Sequence, residues 1–282
     1  MRRAILGCVL VLAAALPAAA ADVSGETYIP TPYIPSTKVA VDELLRIAGV
    51  GADDLVVDMG SGDGRIVIAA ARDYGARGVG IEIDPGLVAE STENARLAGV
   101  ADRVVFRHGD VLKADIGAAT VVTLYLLPGL VEKLKPRLLA QLQPGTRIVA
   151  HDFGFADWEP DRLVKISKTY YLYVVPASAG GKWRLEANLP GGTVEYDFEL
   201  TQRYQRISGG ARVPGGILPA FEARINGHQI GFVLVENDSS LHFEGRINGS
   251  AMEGMVHSGA GRARVTSPWR AVRAGPPEEN RR

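Results

Sequence analysis

Cysteine is almost missing from this chain: Cys8 is the only one in 282 residues. It lies in an apolar N-terminal stretch that reads as an export leader, so removing the leader would leave no thiol at all. That excludes disulfides, cysteine nucleophiles and thiolate metal sites together, and no metal site is expected. A basic tract is also missing outside the extreme termini, and the formal net charge is −1. Nucleic acid held mainly through its phosphates is therefore a disfavoured partner. Long hydrophobic runs are scarce too. The apolar core Ala4 to Leu16 falls short of the roughly 20 residues a membrane-spanning helix needs. It follows Arg2 and Arg3 and precedes Pro17 and the small run Ala18 to Ala21, the pattern of a cleavable signal over 1–21. The expectation is a periplasmic or secreted protein with no stable membrane insertion after cleavage. The alternative is an uncleaved inner-membrane anchor.

What the chain does have is 46% apolar residues, enough for a core, arranged in two styles. Residues 22–36 form an extended lead, with Pro30, Pro32 and Pro35 set among aromatics. From Thr37 the apolar residues Val39, Val41, Leu44, Leu45 and Ile47 recur at helical spacing, and the helix is expected to stop near Gly49. Strand and helix then alternate. Strands are expected at Leu55–Asp58, Gly78–Ile83, Arg103–Arg107, Thr120–Leu124 and Arg147–Ala150, and helices at Arg65–Tyr74, Gly86–Ala98 and Leu130–Gln141. Leu163–Ser167 and Thr169–Val175 follow without a helix and read as a terminal hairpin. The fold class is α/β: a Rossmann-like, seven-stranded sheet over 37–176 with one antiparallel member, covered on both faces.

Beyond Ala177–Gly181 the style changes to short alternating strands. "RINGHQIGFVL" from Arg224 and "RINGSAMEGMV" from Arg246 resemble each other, each with an Asn-Gly hairpin signal. Residues 181–273 are expected to form an antiparallel β domain, a curled sheet or small barrel, and 274–282 a disordered tail.

The stretch "VVDMGSGDGR", Val56 to Arg65, is a strand running into a glycine turn flanked by acids. A phosphate-binding loop of the NTPase kind needs a lysine and a hydroxyl at its end, and here Gly64, Arg65 and Ile66 stand there. A dinucleotide turn needs G-x-G-x-x-G, and Arg65 occupies the last position. The pattern instead suits a nucleoside with a cationic, amino-acid-like end and no phosphate. Asp58 can accept from an ammonium, and Gly60 and Gly62 allow close backbone approach. S-adenosylmethionine has that chemistry. Glu82, about 20 residues on, is placed to accept from ribose hydroxyls, as it also would in dinucleotide enzymes. Asp110 in "HGDV" can face an adenine amine, or can simply serve its turn.

"VVDMGSGDGRIVIAAA", "GVGIEIDPGLV" and "HGDV", in this order, resemble the class I S-adenosylmethionine-dependent methyltransferases. "PYIPSTKVAVDELL", "YLLPGL" and "HDFGFADWEPD" extend the resemblance, over about Tyr28 to Pro176, to a bacterial group. That group is similar to the mitochondrial lysine methyltransferases that modify ATP-synthase c subunits. The resemblance implies that Asp58, Gly60, Ser61, Gly62, Glu82 and Ile83 bind the cofactor, and that Asp110 and Val111 meet its adenine. It also implies a protein lysine acceptor, with a small molecule as the other acceptor class. Tyr33 and Thr37 would close the methionine end.

In-line methyl transfer needs alignment and water exclusion more than any fixed residue type, so catalytic residues are hard to read. After the fourth strand, enzymes acting on planar amino groups often carry Asn/Asp-Pro-Pro-aromatic. This chain has Tyr125-Leu126-Leu127-Pro128, which favours a flexible amine. Tyr125 is a candidate for lining the methyl path or for the core. His151, ending the fifth strand, is a candidate proton acceptor or a loop-fixing histidine. Trp158 is expected either to cover the pocket or to pack. An exported binding or assembly protein that keeps the fold is the alternative function. The β domain would either present a substrate or merely bury sheet edges.

Overall fold

The computed structural model describes residues 34–236, 239–259 and 265–275. The expected leader, most of the lead including Tyr33, and the tail beyond residue 275 lie outside the described residues.

Helix α1 (Lys38–Ala48) is opened by Thr37, whose Oγ1 accepts from Ala40 N at 3.2 Å, and is closed by Gly49 in the left-handed region. Its buried face, Val41, Leu44, Leu45 and Ala48, is the stripe that its periodicity announces. There follow β1 (Leu55–Met59), α2 (Arg65–Tyr74), β2 (Arg77–Glu82), α3 (Pro85–Leu97), β3 (Val104–His108), β4 (Val121–Leu124), α4 (Pro128–Gln141), β5 (Arg147–His151), β6 (Arg162–Lys165) and β7 (Thr169–Val174). Helix α4 begins two residues before its expected start. Pro128 sits in its first turn, where the missing N–H costs nothing.

The seven strands run in the order β3-β2-β1-β4-β5-β7-β6. All pairs through β5 are parallel, and β7 alone runs against its neighbours, as expected. Side chains alternate across the sheet. Val56, Val121 and Val149 join α1 and α2 in one apolar cluster, while Val57, Val122 and Ile148 join Val131, Leu134 and Leu138 of α4 in another. Strand order reverses between β1 and β4, and the carboxyl ends at such a switch point form the ligand crevice of open α/β sheets.

The β domain comprises β8 (Gly181–Leu189), β9 (Gly192–Arg203), β10 (Arg206–Val213), β11 (Gly216–Pro219), β12 (Phe221–Asn226), β13 (Gln229–Glu236), β14 (Ser239–Asn248), β15 (Ala251–Ser258) and β16 (Val265–Arg273). Their order is β11-β10-β12-β13-β14-β15-β16-β8-β9, and β10 also pairs with β9, so the sheet closes into a barrel. Ala220 alone separates β11 from β12, and the two act as one bent strand along β10. Closure removes most of the free sheet edge, and among the described residues β11 keeps one, since it pairs with β10 alone. Inward residues fill the barrel: Trp183, Phe198, Phe232, Phe243 and Trp269 are all buried, with Phe232 stacked on Phe243 at 4.7 Å between ring centroids.

Both Asn-Gly pairs form tight hairpins, but the asparagines pair across the strands as Asn226↔Gln229 and Asn248↔Ala251. The turn centres are Gly227-His228 and Gly249-Ser250. Only the glycine of each has positive φ, 56° and 62°, which is the type II′ pattern.

Candidate active site

The glycine turn hangs from the end of β2: Gly60 N and Ser61 N both donate to Ile81 O, at 2.8 and 3.0 Å. Gly60 has φ 82°, which other residues rarely adopt, and a Cβ there would stand 2.8 Å from Leu126 Cδ2, so the Leu126 side chain would have to move. Gly64 is as demanding. It opens α2 at φ 82°, and an added Cβ would lie 2.5 Å from Phe106 Cζ. The close helix–strand packing that a dinucleotide turn assigns to its third glycine is provided here one residue earlier.

Asp58 is 2% exposed, and its Oδ1 accepts from Thr123 Oγ1 at 2.6 Å. Burial pushes its carboxyl up to about 7; the Thr123 hydroxyl opposes the rise, and the charges of Glu82 and Asp63 add to it. Glu82 is also buried. Its Oε2 accepts from Gly62 N at 2.8 Å, and its Oε1 from Ile83 N and Asp84 N at 2.8 and 3.0 Å. Glu82 thus builds the turn as well as facing the crevice, a role that strand position alone does not reveal. Asp110 lies beside it through the Gly109 N to Glu82 O bond of 2.8 Å. Its Oδ1 accepts from Leu112 N at 2.8 Å and its Oδ2 lies 3.8 Å from Lys113 Nζ, so the turn role is present. Ile83 is exposed while Val111 is buried against the α4 side of the sheet. Ser61 points elsewhere: its hydroxyl stands 2.6 Å from where a Cβ on Gly80 would be. That hydroxyl is buried and has no hydrogen bond among the described residues.

Tyr125 follows β4 and His151 ends the neighbouring β5, and the fold stacks them with ring centroids 4.1 Å apart and planes 26° from parallel. Tyr170 of β7 stacks on the other side of His151 at 5.3 Å. His151 is 1% exposed. Its Nδ1 lies 3.4 Å from Ser36 Oγ, and its Nε2 has no hydrogen bond among the described residues. Burial holds its pKa below the usual histidine value, against the pull of Asp152. Its Nε2 lies 3.8 Å from Asp152 Oδ2. Tyr125 is the partly exposed member of the stack. Beyond the other members, Asp152 pairs with Lys168 at 3.0 Å and Glu43 accepts from Tyr170 Oη at 2.8 Å.

Trp158 does not cover the pocket. It is 1% exposed and packs away from the crevice against Tyr204, Phe155 and Tyr173. Thr37 caps α1. A cavity of about 310 Å³ lies elsewhere, lined by Val41, Asp63, Arg65, Ile68 and Asn94; neither Asp58 nor Glu82 reaches it. Among the described residues no cluster suits a metal ion.

Two buried carboxylates and a left-handed glycine turn with no lysine fit a cationic nucleoside ligand. Residues 58–162 match the sequence model of the ANTKMT methyltransferase domain. A protein-lysine N-methyltransferase of Saccharolobus islandicus (strain REY15A) is 41% identical over 156 residues, 53% of this chain and 97% of that relative. The chain belongs to the class I S-adenosylmethionine-dependent methyltransferases. Its cofactor is S-adenosylmethionine. Within this family it is related to the ATP synthase c-subunit lysine N-methyltransferases. That of Xenopus laevis is 36% identical over 132 residues, 47% of this chain and 58% of the relative, so this methyltransferase spans little more than half of that protein. A solved RNA methyltransferase from Salinibacter ruber, in complex with S-adenosyl-L-homocysteine, is 56% identical at a TM-score of 0.50, covering 50% of this chain and 93% of that one.

Proposed function

We propose that this methyltransferase acts on the ε-amine of a protein lysine. The observation that carries this reading is the aromatic wall Tyr125–His151–Tyr170 at the carboxyl ends of β4 and β5, of which Tyr125 is the partly exposed face, beside the Asp152–Lys168 pair. An aromatic face attracts an ammonium group. The name of the Saccharolobus relative supports the same acceptor.

Asp58, Glu82, Asp110 and the backbone of Gly60, Ser61 and Gly62 would hold the cofactor, with Ile83 and Val111 at its adenine. S-adenosylmethionine supplies, when bound, a methyl group on a positively charged sulfur. The protein's own part is alignment. Tyr125 lines the path of the amine, His151 fixes Tyr125 by stacking, and the apolar wall excludes water. Taking a lysine out of water favours its neutral form, which carries the lone pair that attacks. In-line geometry does the rest.

RNA is the second reading, favoured by the name of the Salinibacter structure. The lack of a basic tract outside the extreme termini and the net charge of −1 weigh against it. Total cell extract incubated with methyl-labelled cofactor separates the two. Protease-sensitive label recovered as methyllysine supports the first reading, and ribonuclease-sensitive label overturns it. Export by the leader is part of the proposal, and fractionation that finds mature protein only in the cytosol would refute that part.

A further inference from the structure

The segment after β5 begins at His151 and ends at β6, and the barrel grips its second half residue by residue. The β9–β10 hairpin turns through Tyr204 and Gln205, since Arg206 pairs with Arg203. Tyr204 Oη donates to Asp157 Oδ2 at 3.0 Å, and its ring stacks on Trp158 at 5.2 Å, 11° from parallel. Gln205 spans the rest: its Oε1 accepts from Trp158 Nε1 at 2.6 Å, and its Nε2 donates to Asp161 Oδ2 at 2.6 Å. Arg206 pairs with Glu159. Behind the turn, buried Gln202 donates to Tyr204 O at 2.8 Å and to Ala177 O at 2.9 Å, and accepts from Ala179 N at 2.7 Å. The turn is thereby tied to the linker between β7 and β8.

This grip holds a strained backbone. Tyr204 has φ 53°, a conformation that a bulky residue adopts only when its surroundings impose it. Glycine or asparagine would suit the hairpin better. At the other end of the same segment, Asp152 is also left-handed, at φ 60°, and pairs with Lys168 beside the aromatic wall. Between the two ends, Phe155 N donates to Tyr173 Oη at 3.0 Å and Ala156 N to Glu132 Oε1 at 2.5 Å, so the segment is tethered along its length.

We propose that the β9–β10 turn is a clamp through which the barrel sets the acceptor-side segment 151–161, with Tyr204 and Gln205 as positioning residues for methyl transfer. The proposal rests on the reading that the acceptor enters beside Tyr125 and His151. Gln205 is the sharpest place to test it. In Gln205→Ala all three side-chain bonds, to Trp158, Asp161 and Glu159 O, are lost. In Gln205→Glu the acceptor for Trp158 is kept, and a carboxylate faces Asp161 Oδ2, which also accepts from Val174 N.

The experiment uses the full chain and three measurements: hydrogen exchange of peptides covering 151–161, cofactor affinity by calorimetry, and initial rates with labelled cofactor and total cell extract as the acceptor pool. Both single variants should exchange faster in this segment and transfer methyl about tenfold more slowly, the scale expected when a positioning contact slackens. Cofactor affinity should be unchanged, so that the loss falls on transfer and not on the cofactor site. Unchanged exchange in the single variants overturns the clamp. Faster exchange with an unchanged rate overturns its role in transfer. So does a loss of cofactor affinity as large as the loss of rate. Label on a group other than lysine overturns the acceptor reading alone, since the rate comparison counts methyl groups wherever they land.

Discussion

Thr123 Oγ1 donates to Asp58 Oδ1 at 2.6 Å, so the two strands at the reversal of the sheet are joined through the carboxylate that faces the crevice. With burial pushing that carboxyl up to about 7, its charge changes within the physiological range. A cationic ligand needs the carboxylate. Cofactor affinity should therefore be flat above about pH 8 and fall as pH drops through about 7, approaching tenfold per unit well below it. The ligand-free protein should do the opposite. The folded carboxyl keeps its proton longer than the unfolded one, so stability contributed by this group is lost as pH rises from about 4 to about 7. Calorimetry and thermal melts across that range check both signs. A pH-independent affinity would remove Asp58 from the site.

Glu82→Gln removes the charge and disturbs the acceptors for Gly62, Ile83 and Asp84. Hydrogen bonds to charged groups contribute about 1.5–3 kcal/mol each, so the melting temperature should drop. Affinity should weaken by at least about tenfold, equivalent to about 1.4 kcal/mol. A variant that melts lower but binds normally would confine Glu82 to the turn.

His151→Phe keeps an aromatic ring between Tyr125 and Tyr170, whereas His151→Ala removes it. If the histidine positions Tyr125, the phenylalanine variant retains most activity with an unaltered pH–rate profile, and the alanine variant loses about a hundredfold. Equal loss in both variants, with a limb missing from the pH profile, would instead make the imidazole a proton carrier.

Gly64→Ala combines a left-handed φ with a Cβ 2.5 Å from Phe106 Cζ. Overpacking of this kind costs about 1–3 kcal/mol, measurable by chemical denaturation. No loss of stability would mean that Phe106 has room to turn aside.

Much of the methyltransferase sheet could be read from spacing alone. Helical periodicity placed Lys38–Ala48 between Thr37 and Gly49, and α2 carries the bounds expected for it. These features are local, set by caps and by which face is apolar. What spacing could not give were the contacts between distant strands. The stacking of His151 on Tyr125 depends on β4 lying beside β5, and the burial of Trp158 depends on a turn far along the chain, at Tyr204. Barrel closure was left open for the same reason, because it rests on β10 pairing with β9 as well as with β11. Glu82 shows a third limit: strand position put its carboxylate at the right edge but said nothing of the three backbone amides it holds.

The packed interior of the barrel has a consequence of its own. Trp183, Phe198, Phe232, Phe243 and Trp269 occupy its inside as a packed core, the space that barrels of similar strand number use in other proteins to hold a small ligand. What it offers a neighbour is its outer wall and its rims, one of which already presses on the transferase.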